Sequence, residues 1–130
     1  VESEKEILNN MLENAGSVMM MALVDGETAG NASISAVGTR RRVRHRCSLA
    51  IALKKKFWGL GIGTAMMEYL IELAGKMGYE QMELEVVDGN DRAKALYEKS
   101  GFVETGRNKD AMKYDDGTYR DDIIMCRKVK

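Results

Sequence analysis

Residues 58–64 read Trp-Gly-Leu-Gly-Ile-Gly-Thr, with glycine at three alternate positions between a strand-like segment and a strongly helical one. Glycine has no Cβ, so its backbone can adopt a positive φ and approach a ligand closely. The first amides of the following helix lack partners within the helix and carry the positive end of its dipole. The stretch therefore predicts a strand, a loop that binds an anionic group, and a helix. A tight strand-to-helix turn without a ligand is the simpler alternative.

The spacing of these glycines excludes two common nucleotide-binding motifs. A dinucleotide fingerprint that begins at Gly59 or Gly61 needs its third glycine where the chain has Thr64 or Met66. A P-loop needs a Gly-Lys-Ser/Thr ending, which is absent here. The anion is therefore expected to belong to another class of ligand.

Composition describes one ordinary globular domain. The chain has 130 residues, of which 45% are hydrophobic and 31% charged, and its formal net charge is zero. Neutrality predicts neither a nucleic-acid nor a membrane partner, and no apolar run approaches the roughly 20 residues of a membrane span. Two cysteines and one histidine form neither a disulfide framework nor a zinc pattern. We therefore expect no metal and a cytoplasmic location.

Hydrophobic periodicity divides the chain into alternating elements. It predicts helices over 3–15, 63–77 and a short segment after Asn90, and strands over 18–24, 29–37, 47–53, 81–87, 102–113 and 118–128. Ser3 and Glu6 form a capping box for the first helix. The continuous apolar run 18–24 is typical of a strand buried on both faces. The order predicts a mixed α/β domain without internal repeats.

Two motifs, Trp58–Gly63 and the segment over residues 90–102, resemble those of the GNAT N-acetyltransferase superfamily. Trp58–Gly63 matches the pattern Gln/Arg-x-x-Gly-x-Gly/Ala at both glycines, with Trp58 where Gln or Arg is usual. The segment NDRAKALYEKSGF, residues 90–102, matches Asn-x-x-Ala-x-x-Leu-Tyr-x-Lys-x-Gly-Phe in register. Tyr119, Asp121 and Met125 also look like the family's last strand, so the resemblance covers about residues 17–128.

The resemblance implies a fold, namely a mixed, mostly antiparallel sheet that is splayed between its fourth and fifth strands and flanked by helices. Coenzyme A would lie in the gap. The helix over 3–15 would correspond to the family's second helix. Residues 1–130 would then form a single GNAT-like domain that lacks the family's first strand and helix.

The resemblance also implies acetyl-CoA as the cofactor and direct acetyl transfer to a primary amine. The cofactor-binding residues carried over from the family are Ile51, Ala52, Leu53, Phe57, Trp58, Gly59, Leu60, Gly61, Ile62, Gly63, Thr64, Asn90 and Tyr97. Tyr97 would act as the general acid toward the thiolate. From periodicity alone, Tyr97 is a core aromatic residue and Asn90 a helix N-cap.

The general base is the least defined position, because Ser48 stands where many relatives carry glutamate. Glu85 is the tentative base, and a water relay is an equal possibility. The further candidates are Glu83, Asp121, Asp122 and His45. A solvated strand face or an ion pair with the arginines is the simpler role for each carboxylate.

Eight of the twenty basic residues lie within residues 40–56, and Lys54, Lys55 and Lys56 immediately precede the glycine loop. The arginines at 40–46 are read most simply as a solvated hairpin tip. The alternatives are a patch for an acidic acceptor, for nucleic acid or for the 3′-phosphate of coenzyme A.

The amine acceptor and the oligomeric state stay open, although the family often forms homodimers. A non-catalytic acyl-CoA-binding or regulatory module is the alternative function, favoured by Ser48 and the short N-terminus. An RNA-binding domain ranks last, because no aromatic residues alternate with the arginines.

Overall fold

The computed structural model describes the backbone of residues 5–14 and 17–130 and the side chains of residues 17–130. The strands are β1 (Lys5–Asn14), β2 (Ser17–Val24), β3 (Glu27–Ala36), β4 (Arg46–Leu53), β5 (Gln81–Val87), β6 (Val103–Lys113) and β7 (Tyr119–Lys128). The helices described are α1 (Ile62–Lys76) and α2 (Asp91–Lys99), and a 3-10 turn covers Lys55–Phe57.

The strands form one seven-stranded sheet in the order β1-β2-β3-β4-β5-β7-β6. Every neighbouring pair is antiparallel except β4 and β5, which are parallel and are joined through α1. A parallel pair requires such a crossover, whereas short turns suffice for antiparallel neighbours. The predicted mixed, mostly antiparallel architecture is confirmed.

The hydrophobic core lies on the face of the sheet that packs against the helices. Alternate residues of each central strand contribute to it, for example Ile34, Leu49 and Met82, and they pack against Met66 and Leu70 of α1. The intervening residues point to the opposite face, which no described helix covers. This alternation is the normal pattern for a sheet with one solvated face.

The prediction that residues 18–24 are buried on both faces is therefore wrong. Met20 and Ala22 of β2 are each 2% exposed, whereas Met19, which points to the opposite face of the same strand, is 54% exposed. A continuous apolar run does not reveal which neighbours a strand acquires, and in the described part of the chain the helices reach only one face of β2.

The predicted helix over 3–15 is also wrong. Residues Lys5–Asn14 form β1, which pairs antiparallel with β2 from Lys5↔Val24 to Asn14↔Ser17. Pairing with the edge of β2 satisfies backbone groups on both strands, and such tertiary context overrides a local helical pattern. Ser3, the first residue of the proposed capping box, lies outside the described residues.

The buried thiol of Cys47 predicts how stability depends on alkaline pH. Cys47 is 0% exposed, and burial, followed by the charge of Glu83, raises the pKa of its thiol from 9.0 to about 12. The folded state therefore keeps the thiol neutral where the unfolded state ionises it. We expect the free energy of unfolding to fall as the pH rises from 9 toward 12, because ionisation favours the unfolded chain.

Urea titrations at pH 8, 9 and 10 measure this loss. Over the same range, the free energy of unfolding of Cys47→Ala should fall less steeply than that of the wild type. Equal slopes for the two proteins would assign the alkaline loss to other groups. In the native protein at neutral pH, a thiol reagent should label the half-buried Cys126 and spare Cys47.

Candidate functional site

The site begins where the two parallel strands part. The pairing of β4 with β5 consists of Arg46↔Gln81, Cys47↔Met82 and Ser48↔Glu83. Beyond Ser48, both strands continue, β4 to Leu53 and β5 to Val87, without further pairing to each other. The strands thus open a gap at their carboxyl ends, and the predicted splay between the fourth and fifth strands is confirmed.

The open side of β4 directs backbone polar groups into this gap. Lys54 N, just after β4, donates to Ala29 O of β3 at 2.8 Å. Because the backbone groups of successive strand residues point in opposite directions, those of the preceding residue, Leu53, point away from β3. Ile51 and Leu53 therefore direct their backbone groups toward the gap, where Leu53 O accepts a hydrogen bond from Trp58 Nε1 at 3.1 Å. An extended ligand placed there can pair with β4 as a strand would.

The glycine loop follows directly from this edge. Gly59 and Gly61 have φ of 79° and 80°, the left-handed region that favours glycine. Gly61 is the N-cap of α1, and no side chain caps this helix. Ala65 N donates the first helical bond to Gly61 O, which leaves the amides of residues 62–64 without helical partners. No acidic residue lies in the first turn of α1.

The N-terminus of α2 follows the carboxyl end of β5 and, unlike that of α1, has a side-chain cap. Asn90 Oδ1 accepts a hydrogen bond from Ala93 N at 3.3 Å, and Asp91 places a negative charge in the first turn. The N-cap interpretation of Asn90 is confirmed, whereas its contact with a cofactor stays a prediction. Of these two helix ends, that of α1 has neither a side-chain cap nor an acidic residue in its first turn, so it is the more favourable one for an anion.

The two helices pack closely beside the gap. A Cβ on Gly63 of α1 would lie 3.2 Å from Leu96 Cδ2 of α2, so glycine at this position permits the close approach. Tyr97, the next residue on α2, is 7% exposed and packs edge-to-face on Phe102 with ring centroids 6.3 Å apart. Burial raises the pKa of Tyr97, so its hydroxyl is protonated at neutral pH. Its role as an acid stays a prediction.

Two of the predicted cofactor-binding residues have side chains that are buried in the hydrophobic core. Phe57 is 7% and Ile62 4% exposed, and both belong to the core, so only their backbone groups are free to meet a ligand. Trp58 and Leu60 are 41% and 47% exposed on the loop. The glycine loop thus exposes its backbone and the side chains of Trp58 and Leu60.

Two of the proposed bases are held in ion pairs. Arg46 forms an ion pair with Glu83 on the solvated face of the sheet. Asp121 accepts Asp110 N at 3.0 Å and lies 3.4 Å from Arg107 Nη1, and these contacts hold the pKa of its carboxyl below the usual range. The ion-pair interpretation is therefore confirmed for both. His45 precedes β4 at its amino end, opposite the gap.

Glu85 has a different environment. It lies two residues beyond the last β4–β5 pair and on the face opposite the buried Leu84 and Val86. A hydrogen bond with Asp122 is the main cause that raises the pKa of Glu85, followed by burial and by the negative charges of Asp122 and Glu83. Asp122 is itself only 5% exposed. The strand register that forms this carboxyl pair had no signal in the sequence.

The basic residues near and far from the loop differ in their surroundings. Lys54–Lys56 lie between β4 and the loop as predicted, and Lys56 Nζ contacts Glu27 Oε2 at 2.6 Å. The arginines at 40–44 lie in the β3–β4 turn, at the amino end of β4. The eight residues of β4 separate this turn from the glycine loop, so it does not serve a phosphate bound there.

Residues 2–102 match the sequence model of the Acetyltransferase (GNAT) family. The chain belongs to this family. Family members use acetyl-CoA, and the gap, the glycine loop and α2 of the GNAT domain described above are the elements that the two motifs marked.

Similar proteins agree with this assignment. The chain is 36% identical over 79 residues to ribosomal protein bS18-alanine N-acetyltransferase of Escherichia coli (strain K12), covering 61% of this chain and 53% of that protein. The acetyltransferase of the GNAT family from Streptococcus pneumoniae has a TM-score of 0.83 at 30% identity, covering 89% of this chain and 69% of that one.

A further solved structure contains the cofactor. The GNAT superfamily phosphinothricin acetyltransferase from Sinorhizobium meliloti, in complex with AcCoA, has a TM-score of 0.78 at 26% identity and covers 86% of this chain and 60% of that one. The chain spans about half the length of the curated relatives it matches.

Two negative findings concern the described residues alone. Within residues 5–14 and 17–130, neither helix has the length and apolar character needed to cross a bilayer. Over residues 17–130, whose side chains are described, His, Cys, Asp and Glu do not gather in a group of three or more suited to a metal ion.

Proposed function

We propose that this GNAT-family chain is an acetyl-CoA-dependent N-acetyltransferase that moves the acetyl group directly to a primary amine. The observation that carries the proposal is the parting of β4 from β5 next to the uncapped N-terminus of α1. The pantetheine arm of acetyl-CoA pairs with the backbone of Ile51–Leu53. Its diphosphate binds the amides of residues 57–64, where the helix dipole and the lysines favour negative charge.

The two proposed catalytic residues flank the gap from opposite faces of the sheet. Tyr97 belongs to the core on the helix side, whereas Glu85 lies on the solvated side. An acetyl group within the gap is then accessible to a base on one side and an acid on the other. This arrangement separates the entry of the amine from the departure of the thiolate.

The proposed reaction requires two proton transfers. The neutral amine attacks the acetyl carbon, and a C–N bond forms as the carbonyl oxygen gains negative charge. Glu85, directly or through a water molecule, accepts the proton that the amine nitrogen loses. The C–S bond then breaks, and the Tyr97 hydroxyl donates its proton to the departing thiolate. Glu85 ends with one proton more and Tyr97 with one fewer, and solvent restores both.

The acceptor class is taken from the curated relative. That protein is named for the alanine of ribosomal protein bS18. We therefore propose a protein N-terminal amine as the first acceptor to test, with small amines and lysine side chains as alternatives. A cytoplasmic location, homodimer formation and the assignment of residues 1–130 to one domain without the family's first strand and helix stay predictions.

Titration calorimetry with acetyl-CoA tests the donor half of the proposal, and absence of binding would contradict it. Thiol release in the presence of alanine-terminated peptides, lysine peptides and small amines tests the acceptor half. Binding of acetyl-CoA without acetylation of any amine would instead support a non-catalytic acyl-CoA-binding module. Ser48 favours the module, whereas the raised pKa of Glu85 favours catalysis.

Gly61→Asp should separate cofactor binding from folding. Aspartate tolerates a left-handed backbone better than most residues, so at the φ of 80° of Gly61 we expect a loss of stability of about 1–2 kcal/mol, with the fold retained. Its carboxylate would place a negative charge beside the amides proposed for the diphosphate and repel it. Acetyl-CoA affinity should therefore fall by more than about tenfold, since charge-assisted hydrogen bonds contribute roughly 1.5–3 kcal/mol each.

Gly117→Asp is the matched control for this prediction. Gly117 also has a positive φ, of 86°, but lies in the β6–β7 turn. Its substitution should leave acetyl-CoA affinity within twofold of the wild type. Unchanged affinity of Gly61→Asp, measured by calorimetry, would remove the diphosphate from the N-terminus of α1.

A further inference from the structure

Trp58 stands where the family motif has Gln or Arg, and its side chain makes two contacts that connect separate elements. Its indole Nε1 donates to Leu53 O, at the end of β4, at 3.1 Å. On α2, the guanidinium carbon of Arg92 lies 4.4 Å from the centroid of the Trp58 ring. One side chain therefore joins the edge of β4, the start of the glycine loop and the first turn of α2.

The indole hydrogen bond fixes the plane on which Arg92 rests. Tryptophan is the most favourable aromatic partner for a guanidinium, and 4.4 Å is well within the range of about 6 Å for such stacking. Because the Trp58 N–H is bound to a backbone carbonyl, the ring cannot turn away without losing that bond. Arg92 is thereby held beside the loop instead of extending into solvent.

The contact with the ring leaves the N–H donors of the Arg92 guanidinium without an acidic partner among the described residues. In the described part of the chain, Arg92 is paired with the Trp58 ring and with no carboxylate. The neighbouring arginines differ, because Arg107 is bound to Glu104 and Arg46 to Glu83. A guanidinium that stacks on a ring through its face keeps its planar set of donors for a phosphate.

We infer that Arg92, held by Trp58, binds the diphosphate of coenzyme A from the α2 side of the gap. In this chain the pair supplies a cation at the glycine loop although the motif's first position carries an uncharged residue. Trp58 is the positioning residue and Arg92 the binding residue. The inference rests on the proposed function, since it needs coenzyme A in the gap.

Calorimetry with coenzyme A and with 3′-dephospho-coenzyme A tests the binding role. Arg92→Ala should weaken both ligands about tenfold, because both carry the diphosphate. Arg92→Lys should recover only part of the affinity, since lysine keeps the charge but loses the fork and the stacking plane. A penalty confined to coenzyme A would place Arg92 at the 3′-phosphate and overturn the diphosphate assignment.

Arg41→Ala is the matched control, because Arg41 is an exposed arginine in the turn at the amino end of β4. It removes the same net charge and should change affinity by less than twofold. An Arg92→Ala variant that binds as tightly as Arg41→Ala overturns the inference while the proposed function stands. Absence of coenzyme A binding by the wild type overturns both.

Trp58 supplies a second readout, because it is the chain's one tryptophan. Arg92→Ala should change the fluorescence emission of the free protein, whereas Arg41→Ala should not. Trp58→Phe, which keeps a ring, should retain more affinity than Trp58→Ala. The double variant Trp58→Ala/Arg92→Ala should bind no more weakly than Arg92→Ala alone, since the two residues act through one contact. Additive losses would show that Trp58 does not act by positioning Arg92.

Discussion

Replacing Glu85 by glutamine should lower kcat by about 10²–10³-fold while acetyl-CoA affinity stays within twofold of the wild type. Glutamine has nearly the same shape but cannot accept the proton of the attacking amine. Glu85 lies beside the gap and not against the glycine loop, so the donor should still bind. Single-turnover kinetics with acetyl-CoA and the best amine measure the rate, and calorimetry measures the affinity.

The pH dependence gives this prediction a sign. The pKa of Glu85 is raised above its ordinary value of 4.5, chiefly by Asp122, and a base acts only when it is deprotonated. Activity should therefore fall as the pH drops through this raised pKa. In Asp122→Asn the hydrogen bond changes and the negative charge is lost, so the acidic limb should move to lower pH.

Glu80→Gln is the matched control for Glu85→Gln. Glu80 is exposed and lies just before β5, at the amino end of that strand and away from the gap. It should keep wild-type kcat. Full activity of Glu85→Gln would show that a water relay, and not Glu85, accepts the proton of the amine. An acidic limb of the pH profile that does not move in Asp122→Asn would show that another group titrates.

Replacing Tyr97 by phenylalanine should lower turnover by about 10²-fold and leave acetyl-CoA affinity nearly unchanged. The substitution removes the hydroxyl that protonates the departing thiolate and keeps the ring that packs on Phe102. Burial raises the pKa of Tyr97 above its ordinary value of 10.0, so the acid is available throughout the neutral range. Thiol release followed by absorbance measures the loss.

We expect Tyr97 also to set the loss of activity at alkaline pH. As the pH rises through the raised pKa of Tyr97, the hydroxyl ionises and can no longer donate, so wild-type activity should fall there. Tyr79→Phe is the matched control, because Tyr79 is 6% exposed and lies at the opposite end of β5. It should keep wild-type turnover, and a Tyr97→Phe variant that does the same would leave Tyr97 with a packing role alone.

Much of the fold could be predicted from local patterns. The strand over 81–87 and the N-cap Asn90 are observed as predicted, and the helix after the glycine loop runs over Ile62–Lys76 instead of 63–77. These segments have strong periodicity or specific capping chemistry, and their neighbours reinforce it. The prediction of a helix over 3–15 was wrong because this segment pairs with the edge of β2, and the pattern within a segment does not reveal such a partner.

The candidate site divides in the same way. The glycines of the loop and the identity of Tyr97 could be read from two motifs, because each depends on residues close together in the chain. The pairing of Glu85 with Asp122 and the stacking of Arg92 on Trp58 join residues on separate elements. Strand register and helix packing decide such contacts, and neither follows from spacing along the chain.

The sequence by itself thus determined the succession of a strand, a left-handed glycine loop and a helix, since glycine conformation and helix formation are local properties. Only the tertiary structure decided which carboxylates pair with arginines and which one lies beside another carboxyl. Glu83 and Asp121 are neutralised by arginines, whereas Glu85 meets a second, buried carboxyl that makes it more basic. The physical reason is that a pKa depends on the charges and solvent around a group, and folding brings those charges together.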